Sequence, residues 1–560
     1  MEYYGCILST DRIRYCQQKF GSVRKLFCKL WNSSKLGIID VTIVYQKKGV
    51  LVIMEKIKNG IKPTFTIWIL SVLCYLPMIA KGITNSVDGL WASTYFQSGN
   101  QELGSGRWAL LFLDKFRGAY AAEPFSSLMA LGCVAVAVYI AITMFTQKSV
   151  TTYMYAFLVT CSVTICCILS YRFTSLNYCL AILTAVLAVL LLTINTDVIK
   201  TKLLYLTGSI SLLVLSIGIY QVSLGCFSML VILYMMRLLY TEDYKNCTRL
   251  VLKALLVFFV SCIMYKIAWE VCLIARHTVA SGYKGADSVS FANSIMGLPK
   301  AVGLIYFSWA KYFSYTRGNY LFSPIRVAIT LIIFGLILFV GVSKLHKNPK
   351  AAIIYGMLWL LIPVAANIEL LLVPGAKATE LQMTTAMALA LPLLLSLIEN
   401  TAVVSKYLLG TIAAMLIYGN IYAVGTDIDA MTQGSISSNA IMSAMVGTLE
   451  EKQLLSGDYE YAFFGNISDN ELFKTNELYD KANPYAKFGT LMTKPDMIHK
   501  AYIGLVDDLG LNLTIVDNDE YHDLFYSGVL EDMPSYPAKG SIIEKAGVII
   551  IKVSDDYQWD

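Results

Sequence analysis

The chain has 560 residues, is 56% hydrophobic and only 15% charged, and has a mean hydropathy of +0.58 with a net charge of +6. Soluble domains rarely reach that balance, so composition excludes an ordinary water-soluble enzyme and points to an all-α polytopic membrane protein. The charge is split: residues 425–560 hold nine Lys/Arg and 23 Asp/Glu, a net of −14, and the part before them holds 36 and 16, a net of +20. A basic membrane body, 54–424, is therefore expected to give way to an acidic, water-soluble tail, 425–560.

Residues 1–53 are basic, with nine Lys/Arg against three Asp/Glu, and lack the apolar core and cleavage site of a signal peptide. Codons for Lys47-Lys48-Gly49-Val50 can spell a purine-rich ribosome-binding sequence just before Met54. The segment therefore reads either as a leader ahead of a natural start at Met54 or as a disordered basic cytoplasmic arm near anionic lipid. All 13 cysteines lie at or before Cys272, mostly in apolar runs, and their spacing suggests neither a disulfide frame nor a zinc site.

A helix needs roughly 20 apolar residues to cross the hydrocarbon. Eleven spans are predicted, at 63–80, 125–146, 151–170, 176–195, 203–219, 222–240, 250–275, 326–343, 351–371, 380–398 and 405–424. The connections bearing Lys148, Lys200, Lys202, Lys245, Arg249, Lys344, Lys347, Lys350 and Lys406 all fall on the side that also holds Lys56, Lys58 and Lys62. By the positive-inside rule that side is cytoplasmic. The opposite side receives the 81–124 loop, the 276–325 loop and the tail, where nucleotide sugars and ATP are absent.

The first loop, "TNSVDGLWASTYFQSGNQELGSGRW", gathers Asp88, Glu102, Arg107 and Trp108 at the membrane edge. Asp88 is either a solvated loop acid or a general base that takes a proton from an attacking hydroxyl. Arg107 either binds lipid headgroups or steadies a departing phosphate. The following stretch, "SGRWALLFLDKFRGAY", suits an interfacial helix with Trp108, Leu111, Phe112 and Phe116 along the lipid. Tyr220 and Gln221 fall at an external turn. Lys266 and Glu270 lie four apart on one helical face beside Trp269, as part of a polar cavity or as a plain ion pair. Arg276 and His277 open the second long loop, where "SGYKGADSVSFANSI" suits a substrate-gating segment and "YFSWAKYF" an interfacial helix.

In the tail, "YEYAFFGN", "LNLTIVD" and "GVIIIKVS" read as strands, and "KPDMIHKAYIGLVDDLG" as a helix closed by Gly510, giving a small α/β domain. "TDIDA" and "VDNDE" each contain Asp-x-Asp. Pairs of acids recur by chance in so acidic a segment, and metal binding there is not expected. The tail either positions an acceptor polymer or solubilises the chain.

A first span followed by Asn-Ser-Val-Asp-Gly-Leu-Trp, then Gly-Arg-Trp with an amphipathic helix, then a later Tyr-Gln between spans, resembles the bacterial glucosyltransferase family that modifies O-antigen. The tail's "MPSYPAKGSI" and "GVIIIKVS" resemble members with an extracytoplasmic tail. The resemblance implies a GT-C-like hexosyltransferase of the bacterial plasma membrane. Such an enzyme would move a hexose, typically glucose, from a polyprenyl-phosphate sugar to a surface polysaccharide or teichoic-acid-like acceptor on the outer face, with inversion. The family's catalytic acid falls on Asp88. Related loops often carry two adjacent acids, whereas Val87 precedes Asp88 here, which leaves Glu102 as the candidate second carboxylate if two are needed. Arg107, Trp108, Tyr220, Gln221, Lys266, Glu270 and Arg276 are the candidate substrate-binding residues. No nucleic-acid partner is expected and no cofactor is implied beyond the lipid-linked sugar donor; a divalent metal is compatible with the reading but not required by it. A flippase for a lipid-linked saccharide, or a polymerase or ligase of lipid-linked glycans, is the competing reading. Transporters carry internal repeats and midplane charges. No repeat stands out here, and the charges gather toward one face.

Overall fold

The computed structural model describes residues 39–555 except 85–86, 93, 147–149, 282–290, 315–321, 373–378, 400, 402, 491 and 493; side chains at 39–59, 87, 291–295 and 322–323 also lie outside the description. Most of the expected N-terminal segment and the centre of the expected gating loop therefore lie outside the described residues. The elements before the tail are α1 (Ile39–Lys81), α2 (Val87–Trp91), α3 (Asn100–Gly104), α4 (Trp108–Phe116), α5 (Phe125–Thr143), α6 (Val150–Thr160), α7 (Val163–Ser170) and α8 (Ser175–Thr193). They continue with α9 (Ile199–Ile219), α10 (Ser223–Tyr240), α11 (Tyr244–Ala275), α12 (Phe291–Ser314), α13 (Phe322–Leu345), α14 (Pro349–Ala366), α15 (Glu369–Leu372), α16 (Thr385–Glu399) and α17 (Lys406–Glu451).

Among the described residues nine helices are long and apolar enough to cross a membrane, and α6 with α7 makes a tenth if the bent pair is one span. Two of the eleven predicted spans thus differ from simple rods. The first is the 151–170 run, which bends by 47° where α6 meets α7. At the break Tyr75 Oη donates to Thr160 O at 2.9 Å and to Ser162 O at 3.0 Å. Ser71 Oγ reaches Thr160 Oγ1 at 2.8 Å. A neighbouring helix thus satisfies carbonyls that the bend frees, which lets a broken helix persist in lipid. The second is the predicted 380–398 span, which is realised as α16, 15 residues long with every residue buried. Such a helix is about 22 Å long, short of the hydrocarbon thickness, and other helices surround it.

The remaining spans sort by exposure. In α11 the exposed Leu252, Leu255, Leu256, Phe259, Ile263, Ile267, Val271 and Ile274 recur at helical spacing, a face made for lipid chains. By contrast, α5, α8 and α10 supply much of the bundle core. In α12, 24 residues long, Ile305 and Ser308 are buried while Met296, Tyr306 and Phe307 are exposed. The predicted amphipathic "YFSWAKYF" therefore forms the end of a longer amphipathic helix.

The drop in hydropathy at Gly425 falls inside α17, a continuous helix of 46 residues. At about 69 Å it is more than twice the hydrocarbon thickness, so it carries the chain from the bundle into the tail without a linker. The tail adds β1 (Glu460–Phe464), α18 (Glu477–Lys481), α19 (Pro495–Asp508), β2 (Thr514–Ile515), α20 (Asn518–Tyr526), β3 (Ile542–Lys545) and β4 (Val548–Lys552). The three predicted strands and the predicted helix are all present. The sheet order is β2-β1-β4-β3, with β1 parallel to β2 and to β4, and β3 antiparallel to β4. Strand alternation divides two cores. Tyr461 and Phe463 face α19 and the end of α17 on one side, and Ala462 and Phe464 face Tyr521 of α20 on the other.

Two contacts fix the tail to the bundle. Tyr479, Ala482, Tyr485 and Ala486 join the bundle core, and Leu90 from the first loop joins the tail core. The first loop and the tail therefore share one end of the bundle. At the other end Glu399 accepts hydrogen bonds from Thr151 Oγ1 at 2.8 and 3.0 Å and lies 3.8 Å from Lys406 Nζ.

Candidate active site

The sequence "DGLW" builds one wall. Gly89 lies so close to Thr84 and the end of α7 that a Cβ would stand 2.4 Å from Thr84 Oγ1 and 2.8 Å from Ser170 O. Thr84 Oγ1 itself donates to Ser170 O at 2.7 Å. With Gly89 turned inward, Asp88 is left exposed, Leu90 enters the tail core and Trp91 lies under Lys500, whose Nζ is 5.1 Å from the ring centroid. The Asp88 side chain is reached by solvent, yet protein surrounds it on most sides. Burial raises its carboxyl above the ordinary range; Lys500 and then Arg107 oppose the rise, and Glu102 and Glu380 add to it. These five charged groups lie within electrostatic range of Asp88's end of the first loop.

The Gly-Arg-Trp triplet builds the opposite wall. Gly106 has φ +88°, and a Cβ there would lie 2.3 Å from Tyr265 Oη and 2.6 Å from Gln221 Nε2. Gln221 Nε2 donates to Ser105 O at 2.7 Å, Tyr265 Oη donates to Gly106 O at 3.0 Å, and Trp269 Nε1 donates to Leu103 O at 2.7 Å. The loop before Arg107 is thereby pinned to α11 and to the α9–α10 turn. Arg107 donates to Tyr178 Oη at 3.1 Å and sits 5.9 Å from the Tyr178 ring and 5.6 Å from the Tyr220 ring. Those rings stack on each other at 4.1 Å with an interplanar angle of 9°. A guanidinium set beside this stacked pair and hydrogen-bonded to one of its hydroxyls keeps its charge and its place, which suits it to binding an anion.

The predicted site residues separate into groups. Asp88, Glu102, Arg107 and Tyr220 are brought together. Within that group Glu102 Oε2 accepts from Gly99 N at 2.8 Å, closing the first turn of α3. Gln221 holds the loop from behind. Trp108 is turned inward, so close to Gly218 that a Cβ there would lie 2.6 Å from its ring; only Phe112 and Phe116 of the expected lipid-facing row are exposed, at 61% and 93%. Lys266 Nζ lies 2.6 Å from Glu270 Oε1 and 4.1 Å from the centroid of the Trp269 ring; the two charged side chains are half exposed and Trp269 is buried. Arg276 caps the end of α11 and is exposed.

Three acids or bases escaped the sequence reading. Glu380, in the connection before α16, and Lys500, in the tail, both act on Asp88. Their local sequences carry no signal, because only docking brings them there. Asp114 in α4 is the most deeply buried acid of the loop, and Ser98 N and Oγ, Arg117 Nε and Asn177 Nδ2 all donate to it, at 3.1, 2.5, 3.0 and 2.8 Å. With every lone-pair direction taken it is an anchor for the loop. Its signal was visible in retrospect: an acid on the apolar helix at a three-residue spacing from Arg117. Among the described residues no group of three or more His, Cys, Asp or Glu could hold a metal ion. Of the two Asp-x-Asp pairs, Asp427 accepts from Asn483 N, Asn483 Nδ2 and Tyr485 Oη, and Asp517 accepts from Glu520 N.

A multi-span helical body carries an exposed acid and an arginine set against two tyrosines in one loop, and comparison with known families defines its class. The family model described as Glucosyl transferase GtrII matches residues 84–397, more than half of the chain, and the chain belongs to that family. The match begins at the first loop and ends in α16. No curated protein and no solved structure matches the chain. The chain is thus a membrane glycosyltransferase, and the family gives it glucosyl transfer as its activity.

Proposed function

We propose that this glucosyltransferase takes glucose from a polyprenyl-phosphate donor on the outer face of the bacterial plasma membrane. It passes the sugar to a surface polysaccharide or a teichoic-acid-like glycan, with inversion at the anomeric carbon. The observation that carries the reading is Asp88, a carboxylate reached by water and raised by its surroundings, facing Arg107 at the end of the bundle where the tail lies. Asp88 is the general base: it accepts the proton of the acceptor hydroxyl as that oxygen attacks the anomeric carbon and the bond to the donor phosphate breaks. Arg107, steadied by Tyr178 and Tyr220, balances the charge growing on the leaving phosphate. Glu102 adds negative field near Asp88. Residues 54–424 are the transferase body and residues 425–560 an extracytoplasmic domain, an orientation that rests on the basic residues of the opposite end. On this reading Tyr220, Gln221 and Trp108 shape the site, and Lys266, Glu270 and Arg276, exposed on α11 and at its end, take up the lipid-linked donor. Chemistry of this kind requires neither a nucleotide nor a divalent metal.

Purified protein in lipid, given polyprenyl-phosphate [14C]glucose and cell-wall glycan, should transfer label to the glycan, and Asp88→Asn should lose at least a hundredfold of the rate while remaining folded. An Asp88→Asn variant with full activity would remove the base. Movement of the lipid-linked sugar across vesicles without covalent product would replace the whole reading with a carrier.

A further inference from the structure

The tail lies outside the family-matched segment, yet it docks on the residues that carry Asp88. Gly504 of α19 approaches α2 so closely that a Cβ would lie 2.5 Å from Leu90 C and 2.7 Å from both Leu90 O and Trp91 N. Any side chain at 504 would therefore push the two helices apart. Leu90 is 4% exposed and packs among Ile498, Ala501, Tyr502 and Leu505 of α19. Burying it there contributes about 2 kcal/mol to docking. Lys500 precedes Gly504 by four residues and so lies on the same face of α19. Its ammonium stands over Trp91, three residues after Asp88 on the same short helix.

We infer that Lys500 is a positioning residue for Asp88: the docked tail brings this ammonium onto the short helix that carries the acid, and the site is incomplete without the tail. The inference rests on the reading of Asp88 as base, and its chemistry follows from placement. The charged groups whose fields act at Asp88 are Lys500 from α19, Arg107 from the end of the first loop, Glu102 from α3 and Glu380 from the connection before α16. Two anions oppose two cations. Removing Lys500 leaves Arg107 alone against both acids, so the base would spend more time protonated and idle. Arg107 is committed to Tyr178 and Tyr220, whereas Lys500 comes from the tail and stands over Trp91 of the helix that carries Asp88.

The test reads charge at position 88 without using activity. In an Asp88→Cys background, reaction of the thiol at position 88 with a polar maleimide is followed against pH by mass spectrometry of that peptide. Thiolate is the reactive form, so Lys500→Met should slow labelling at a fixed pH below the midpoint by about tenfold and move the midpoint upward. Lys500→Arg should restore it. Gly504→Leu, which separates the helices with Lys500 intact, should reproduce the Lys500→Met result. In the otherwise native chain, Lys500→Met should lower kcat/KM at acidic pH by about tenfold, with KM little changed and activity recovering as pH rises. A labelling curve unmoved by Lys500→Met would overturn the inference outright. If Asp88→Asn proves fully active while the labelling curve still moves, the base reading fails and the electrostatic contact between tail and first loop stands.

Discussion

Gln221 donates to Ser105 O at 2.7 Å and to Tyr265 Oη at 3.2 Å, so one amide ties the α9–α10 turn, the first loop and α11 together directly behind Arg107. Gly106 occupies the only space left between them. Its φ of +88° is costly for an L side chain, and the nearest atoms to an added Cβ are a hydroxyl and an amide already committed to hydrogen bonds. Gly106→Ala should therefore cost on the order of 1–3 kcal/mol locally and displace Arg107. The expected outcome is at least a tenfold loss of glucosyl transfer with a thermal midpoint lowered by only a few degrees. An Ala variant with native rate would show that the loop tolerates a different path.

The charges around Asp88 predict a pH profile with a sign for each variant. Burial raises this carboxyl, and a base works only when ionised, so kcat/KM should fall as pH drops through a midpoint above the value of 3.8 usual for Asp. Arg107 lowers that midpoint and Glu380 raises it. Glu380→Gln should move the acid limb toward lower pH, and Arg107→Gln should move it toward higher pH as well as reducing the rate at the plateau. Profiles measured with excess donor separate the two effects. Movement of both limbs in one direction would contradict the arrangement of charges.

Asp114 offers a contrast between an anchoring acid and the acid proposed as base. Four donors converge on it, and Arg117 in turn donates to Tyr120 O at 3.1 Å and to Phe173 O, so the loop is knitted to the start of α8. Asp114→Ala leaves several buried donors without an acceptor, at about 1–3 kcal/mol for each. Faster hydrogen exchange across residues 94–124 and a lowered thermal midpoint are expected. Because the damage is to the loop's stability, lowering the temperature should recover part of the activity, which Asp88→Asn would not do.

Hydropathy made the helical body legible, because a lipid-facing helix must be apolar over its whole length. The two spans that depart from rods were illegible for the same reason. In 151–170 the bend depends on Tyr75 and Ser71 of another helix. In α16 an apolar run surrounded by protein reads like one surrounded by lipid. The first loop announced itself through acids, amides and glycines where grease was expected, and the structure pins that loop to α11 and to the α9–α10 turn. Lys500 and Glu380 gave no such signal: each sits in an ordinary polar context, and their meeting with Asp88 is a product of tertiary docking. The charge shift at Gly425 was visible, but the continuous helix across it was not, since composition reports solvent and says nothing of where a backbone turns.

Asp427 is where that continuous helix holds the tail. Its carboxylate is 1% exposed and accepts from Asn483 N at 2.8 Å, from Asn483 Nδ2 at 2.7 Å and from Tyr485 Oη at 2.7 Å. The donors belong to the segment whose Tyr479, Ala482 and Ala486 pack into the bundle core. Asp427→Ala would strand three buried donors and should cost on the order of 3–5 kcal/mol. Asp427→Asn keeps one acceptor oxygen and should cost less. Limited proteolysis in lipid reads the difference, with cleavage between residues 475 and 490 accelerating at least tenfold in the Ala variant and only modestly in the Asn variant. The bundle itself should keep its protease resistance, because Asp427 lies at its edge. If Lys500 acts at Asp88 through a docked tail, the Ala variant should also shift the acid limb of kcat/KM upward, and loosened cleavage without that shift would mean that α19 holds its place on Leu90 and Trp91 independently of Asp427.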